Sequence, residues 1–188
     1  MNELVVGQMH GEPGSGKSTL ARAIGRVLGA VVIDKDILAT GPIRAGVPFD
    51  DAGKVAYETL WLLLPSFLNQ GLSVIVDSPC YWPNIEEQGR AAAAQAAAGY
   101  AMIECRCDGE LIERRLATRH RLESNPRKRG AGFGRPGMYE PSCERLVLDA
   151  ARPLDELAAD ALAYLCQPNP QLTIPNRQSP IGNRQSPS

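Results

Sequence analysis

The segment Gly11-Glu12-Pro13-Gly14-Ser15-Gly16-Lys17-Ser18-Thr19 places three glycines, a lysine and neighbouring hydroxyls in the spacing G-x-x-x-x-G-K-[ST]. Glycines let successive backbone N–H groups turn inward around phosphate oxygens, and a helix that starts at the lysine offers its positive end to the same anion. In this pattern Lys17 reaches the outer phosphates of a nucleoside triphosphate, and the Ser18 hydroxyl is placed as a magnesium ligand. A glycine turn beside an isolated lysine is the plain alternative. The pattern falls between an expected strand and an expected helix, which is the context the phosphate mechanism demands and a chance match lacks.

Three carboxylates sit at points where such chemistry needs them. Asp34 and Asp36 follow the apolar run VVI, at the carboxyl edge of a strand, where ligands bind in open α/β sheets. A carboxylate there can accept the proton of an attacking hydroxyl, although Asp is also a favoured helix N-cap. Asp77 closes SVIVD and is the expected anchor of a magnesium ion through water. Beyond it, Pro79, Cys80, Tyr81, Trp82 and Pro83 form an aromatic segment that either borders an acceptor pocket or simply packs. Arg115 and Arg119 are four residues apart on an expected helix, so they share a face and can neutralise a phosphoryl group in transfer. From Arg114 to Arg135 eight basic residues face a single acid, Glu123, in a chain whose net charge is only −1. That local imbalance calls for an anion.

The elements that must position these groups alternate. Strands are expected over Leu4–Met9, Ala30–Ile33, Leu72–Val76, Tyr100–Cys105 and Leu146–Leu148, mostly as nearly unbroken apolar runs, as in a parallel sheet covered on both faces. Helices are expected over Lys17–Leu28, Lys54–Leu68, Ile85–Ala98, Leu111–Arg119 and Leu154–Leu165. The fold class is therefore α/β, a three-layer arrangement around a five-stranded parallel sheet. The stretch 40–51 has no motif and is expected to shape an acceptor pocket, together with a basic lid over about residues 114–137. Residues 1–166 form one domain on this reading, and 167–188, which repeats NRQSP, is too poor in apolar residues to fold and is expected to be a disordered tail. The five cysteines form no C-x2-C pair and are read as free thiols in a reducing compartment, Cys105 and Cys107 on one strand face. No apolar run approaches the length of a membrane span, and a cytoplasmic protein is expected.

With these residues in order, the chain resembles the small P-loop kinases of the AAA-domain type, which include polynucleotide-kinase-like and zeta-toxin-like enzymes. Four segments carry the likeness: HGEPGSGKSTLA, VVIDKDIL, SVIVDSP and ELIERRLATR. The resemblance implies a P-loop NTPase fold, ATP and Mg2+ as cofactors, Asp36 as general base and Arg115 and Arg119 as lid arginines. It also puts Asp149 to Pro153, with Arg152, where the adenine packs. Enzymes of this type that act on polynucleotide ends often carry an arginine three residues beyond the base. Here that position is Ala39, and Arg44 further along is the substitute. The expectation is ATP-dependent phosphotransfer to the hydroxyl of a small molecule such as a nucleoside, a sugar or an antibiotic, with Asp34, Asp36, Arg44 and Tyr81 on the acceptor side. The alternatives are phosphorylation of nucleic-acid 5′-hydroxyls and a nucleotide-dependent switch ATPase. The chain contains no N-K-x-D guanine-reading motif.

Overall fold

The computed structural model describes residues 4–118, 122–124 and 139–167. Its elements run β1 (Val5–His10), α1 (Lys17–Leu28), β2 (Val31–Asp34), α2 (Lys35–Arg44), α3 (Phe49–Asn69), β3 (Val74–Asp77), α4 (Pro83–Gln95), β4 (Gly99–Arg106), α5 (Gly109–Thr118), β5 (Arg145–Asp149) and α6 (Leu154–Leu165). The five strands form one sheet in the order β2-β3-β1-β4-β5, with every pair parallel. Sequential strands that are all parallel need helical crossovers, and the helices divide between the two faces.

The division follows the alternation of side chains along the central strands. Val74 and Val76 of β3 point into one core with Val6, Ile33 and the α3 residues Leu60, Leu64 and Leu68. Ile75 points the other way, among Met9, Leu20, Ile24, Ile103, Leu157 and Leu165. The central strands β1 and β3 are buried along their whole length; β3 accordingly reads as an apolar run up to Asp77, whereas β1 also buries Gln8 and His10. At two points a helix approaches so closely that only glycine fits. A Cβ on Gly25 of α1 would lie 2.5 Å from Val32, and one on Gly89 of α4 would lie 2.9 Å from the Tyr100 ring. Among the described residues no helix is long and apolar enough to cross a membrane.

The expected strands and helices are present, with two corrections. Residues 40–51 carry more helix than expected: α2 runs through Arg44, where no helix was expected, and α3 begins at Phe49, five residues before the expected Lys54. Gly41 and Pro42 lie inside α2, and a proline inside a helix costs an internal hydrogen bond, so the sequence pattern there argues against the helix that packing against α3 supports. Cys105 is buried in β4 but Cys107 lies past its end, so the two do not share a strand face. All five cysteines are free. Of the lid, residues 114–118 are the end of α5 and 122–124 are described. Its remainder and all of the expected tail but Gln167 lie outside the described residues.

Residues 123 and 124 of the expected lid, and the chain just after it, are tied to the body. Ser124 is buried; its Oγ donates to the Asp36 carbonyl at 2.6 Å and lies 3.1 Å from Thr40 Oγ1, and Arg44 forms a two-armed pair with Glu123. On the other side, the buried Glu86 carboxylate of α4 accepts from Tyr139 Oη at 2.7 Å and from both the N–H and the hydroxyl of Ser142 at 2.9 Å. Burial pushes the Glu86 carboxyl up, but these donors and Arg90 outweigh it, and its pKa ends below the ordinary value. Glu86→Ala leaves buried donors without an acceptor, and a loss of about 3 kcal/mol is expected. Thermal unfolding would then shift down by about 6–12 °C. Because the folded-state pKa is depressed, the part of this contribution that depends on the charge is fully present above pH 4.5 and is lost as the pH falls through the lowered value. The gap between wild type and variant should therefore narrow in acid.

Candidate active site

The loop between β1 and α1 is built to leave room for an anion. Gly11, Gly14 and Gly16 adopt positive φ values of 131°, 87° and 100°, a region that L side chains avoid. A Cβ on Gly11 would also strike the Cys105 carbonyl at 2.5 Å. The loop is closed by the Ser15 N–H donating to the Glu12 carbonyl at 3.0 Å. Helix α1 starts at Lys17 with no side chain capping its free N–H groups and no acid in its first turn. Those orphan donors, with the helix dipole, form an anion site. The Ser15 hydroxyl is buried there without a hydrogen-bond partner. Lys17 Nζ meets only the edge of the Glu12 carbonyl, at 3.5 Å, so its charge is not spent on a protein carboxylate.

Parallel pairing brings the carboxylates together at the same edge of the sheet. Asp34 and Asp77 are register partners at the ends of β2 and β3. Asp77 is buried, and neither of its oxygens makes a hydrogen bond of ordinary geometry. Burial raises its pKa to about 6, helped by the charges of Asp34 and Asp36 and opposed by the Lys17 ammonium and the nearby Ser18 hydroxyl. An orphaned buried carboxylate beside a serine hydroxyl is the donor chemistry a hard divalent cation takes. Among the described residues no cluster of three or more His, Cys, Asp or Glu could hold a metal, so an ion here would take most of its oxygens from phosphate and water.

The two aspartates after β2 have separate duties. Asp34 caps α2: its Oδ1 accepts from the N–H groups of Asp36 and Ile37 at 2.9 and 3.3 Å. Burial raises its pKa, with the Asp36 charge adding and the two backbone bonds opposing. Asp36 stands in the first turn of α2, only partly covered, with Lys35 Nζ 2.9 Å from its Oδ1. It is the more accessible of the two for an incoming group.

The other expected site residues that are described have protein partners of their own. The Arg115 guanidinium donates to the Ser15 carbonyl at 3.2 Å and the Ala150 carbonyl at 2.8 Å, so it braces the phosphate loop against the turn after β5. Arg119 lies outside the described residues. Arg152 pairs with Glu156 and Asp160 on α6. Arg44 is held by Glu123. Tyr81 is buried edge-on to His10 and Trp82, and burial pushes its phenol well above the ordinary range. Two side chains near the carboxylates were missed in the sequence: Tyr57, whose hydroxyl lies 2.9 Å from Ser78 Oγ, and Trp61, which stacks on Tyr57 with ring centroids 6.3 Å apart. Their spacing of four residues on one helix was the available signal.

A family model described as an AAA domain matches residues 6–131, and the chain belongs to that family. Among solved structures it is similar to a sugar kinase from Janibacter sp., at 20% identity and a TM-score of 0.62, over 87% of this chain and 94% of that one. It is also similar to the Mycobacterium tuberculosis APS kinase in complex with AMPPNP and APS, at 22% identity and a TM-score of 0.63, over 88% and 99% of the two chains. A gluconokinase from Sinorhizobium meliloti matches at 20% identity and a TM-score of 0.52, over 87% and 91%. No curated protein sequence matches the chain. The α/β fold with its five-stranded parallel sheet is thus that of the small P-loop kinases.

Proposed function

We propose that the protein is an ATP-dependent phosphotransferase that carries the γ-phosphate of ATP to a hydroxyl of a small molecule. The observation that carries this reading is the convergence at one sheet edge of an uncapped glycine loop, a lysine free of carboxylate partners, a buried unbonded carboxylate and an accessible one. The kinase neighbours support it.

In this mechanism the loop N–H groups from Gly11 to Thr19 and the α1 terminus hold the phosphates, and Lys17 balances the charge that grows on them in the transition state. Arg115 keeps Ser15 and Ala150 in fixed relation, so the loop is preorganised before the nucleotide arrives. Ser18 and Asp77 would hold Mg2+, which when bound shields the phosphate oxygens from the approaching nucleophile. Asp36 orients the acceptor hydroxyl and takes its proton. The hydroxyl oxygen forms its bond to the γ-phosphorus as the bond from that phosphorus to the β,γ-bridging oxygen breaks, and ADP leaves with the electron pair.

Transfer of labelled phosphate from ATP to a pool of hydroxyl compounds tests the reading. Asp36→Asn is expected to lower the transfer rate by about 100-fold or more, with nucleotide affinity nearly unchanged, because an amide keeps the shape but cannot accept the proton. Asp34→Asn should be mild, since an asparagine oxygen still caps α2. The reverse pattern would exchange the duties of the two carboxylates.

A further inference from the structure

We infer that the acceptor is a small, uncharged alcohol carrying a planar ring, and that Trp82 is the surface on which the ring stacks; this rests on the phosphotransferase reading above. The first ground is an aromatic wall beside Asp36. Lys35, paired with Asp36 at 2.9 Å, stands 5.9 Å over the Tyr57 ring. Trp82 meets Tyr57 edge-to-face at 6.2 Å and Tyr81 at 6.0 Å, so the wall begins one ring away from the cation that touches the proposed base. Tyr57 and Tyr81 also lie within electrostatic reach of the Asp36 carboxylate.

The second ground is the exposure of Trp82. Its neighbours Cys80 and Tyr81 are buried, yet Trp82 remains 55% exposed. It is also held in place: its backbone is extended at the N-cap of α4, with Pro83 opening the helix and Pro79 three residues earlier. A tryptophan whose backbone is fixed by proline and whose base is wedged between two tyrosines loses little freedom when a flat ligand covers it. A half-exposed aromatic held rigidly beside the proposed base is a surface on which a flat ligand can stack.

The third ground is charge. The basic side chains of α2 are Lys35 and Arg44, and each is paired with a carboxylate, Asp36 and Glu123. Asp34, Asp36 and Asp77 make the edge acidic. Among the described residues of α2 no cation is left over, so there an acceptor bearing its own phosphate, sulfate or carboxylate would have to break one of those pairs or approach like charge.

The test uses wild-type protein and acceptor pairs that differ in one property. Labelled transfer from ATP is compared for thymidine against thymidine monophosphate, which differ in charge, and for phenylethylene glycol against propylene glycol, which differ in the ring. Gluconate is added as an anionic polyol. In parallel, the Trp61→Phe variant keeps Trp82 as its only tryptophan, and its emission is titrated with the same compounds without nucleotide. The expected result is transfer to the uncharged ring compounds at least about five-fold more efficiently than to their partners, with quenching of Trp82 by those compounds alone. Preferred transfer to gluconate, thymidine monophosphate or propylene glycol overturns the inference and leaves the phosphotransferase reading standing. Quenching of Trp82 by ring compounds with no transfer to any acceptor supports the ring site and defeats that reading instead. Absence of both transfer to and quenching by ring compounds overturns the inference, and the wild-type panel keeps it testable should Trp61→Phe not fold.

Discussion

Lys17→Ala is expected to reduce turnover of ATP by about 100-fold or more while moving the thermal unfolding temperature by no more than a few degrees. The asymmetry comes from where the side chain is. Its ammonium touches one backbone carbonyl at the limit of hydrogen bonding, 3.5 Å from Glu12 O, and it has no salt bridge to lose. Truncation therefore removes little that holds the folded chain together. What it removes is a positive charge that acts on the buried Asp77 carboxylate, which the charges of Asp34 and Asp36 also reach. Steady-state turnover and thermal unfolding of the same preparation check both halves. A variant retaining most of the wild-type rate would defeat the phosphate-loop assignment. A variant that loses the rate together with many degrees of stability would show that the lysine braces the loop.

Asp77→Asn carries the other large effect, and its two consequences have opposite signs. Turnover should fall by about 100-fold or more, since an amide is a poor ligand for a hard divalent cation. The protein without nucleotide should nevertheless become more stable at alkaline pH. The carboxyl titrates near 6 in the folded chain against an ordinary 3.8. A raised pKa means that its contribution to stability is fully present below pH 3.8 and is lost as the pH rises through about 6, leaving a buried, unbonded charge above that. The gap corresponds to about 3 kcal/mol as an upper bound. Removing the charge is expected to raise the unfolding temperature by about 5 °C or more at pH 8 and by about half as much at pH 5. Unfolding curves at the two pH values separate this from a structural role, because loss of an ordinary buried anchor would lower stability at pH 8. A higher unfolding temperature at pH 8 would mean that stability is given up at this position for function.

The layout of the sheet and the phosphate loop could be read along the chain, because both rest on local rules. A short apolar run bounded by polar and turn residues reads as a strand, so SVIVD and VVID announce β3 and β2 with no knowledge of their partners. Helix α2 could not be read in that way. Its Gly41 and Pro42 are poor helix residues, and it stands because Asp34 caps it and it packs on α3, a contact between segments the sequence shows only as neighbours. Tertiary context overrode propensity there.

The candidate site divides along the same line. The sequence by itself determined the loop from Gly11 to Thr19, and it placed Asp34, Asp36 and Asp77 at strand ends, since both depend on residue type and on the strand–turn–helix order. Only the tertiary structure decided what each group does. Arg115 bridges two backbone carbonyls and Arg44 is taken by Glu123, partners 35 to 100 residues away along the chain, whereas the cap that Asp34 makes is local. Asp77 acquires its raised pKa only when the β2–β3 register sets it beside Asp34 and packing removes its water. The same packing assembles Tyr57, Trp61, Tyr81 and Trp82 into one wall. Residue types set which chemistry is available locally, whereas charge, burial and pairing are properties of neighbours, and neighbours far apart in sequence are assigned by the fold.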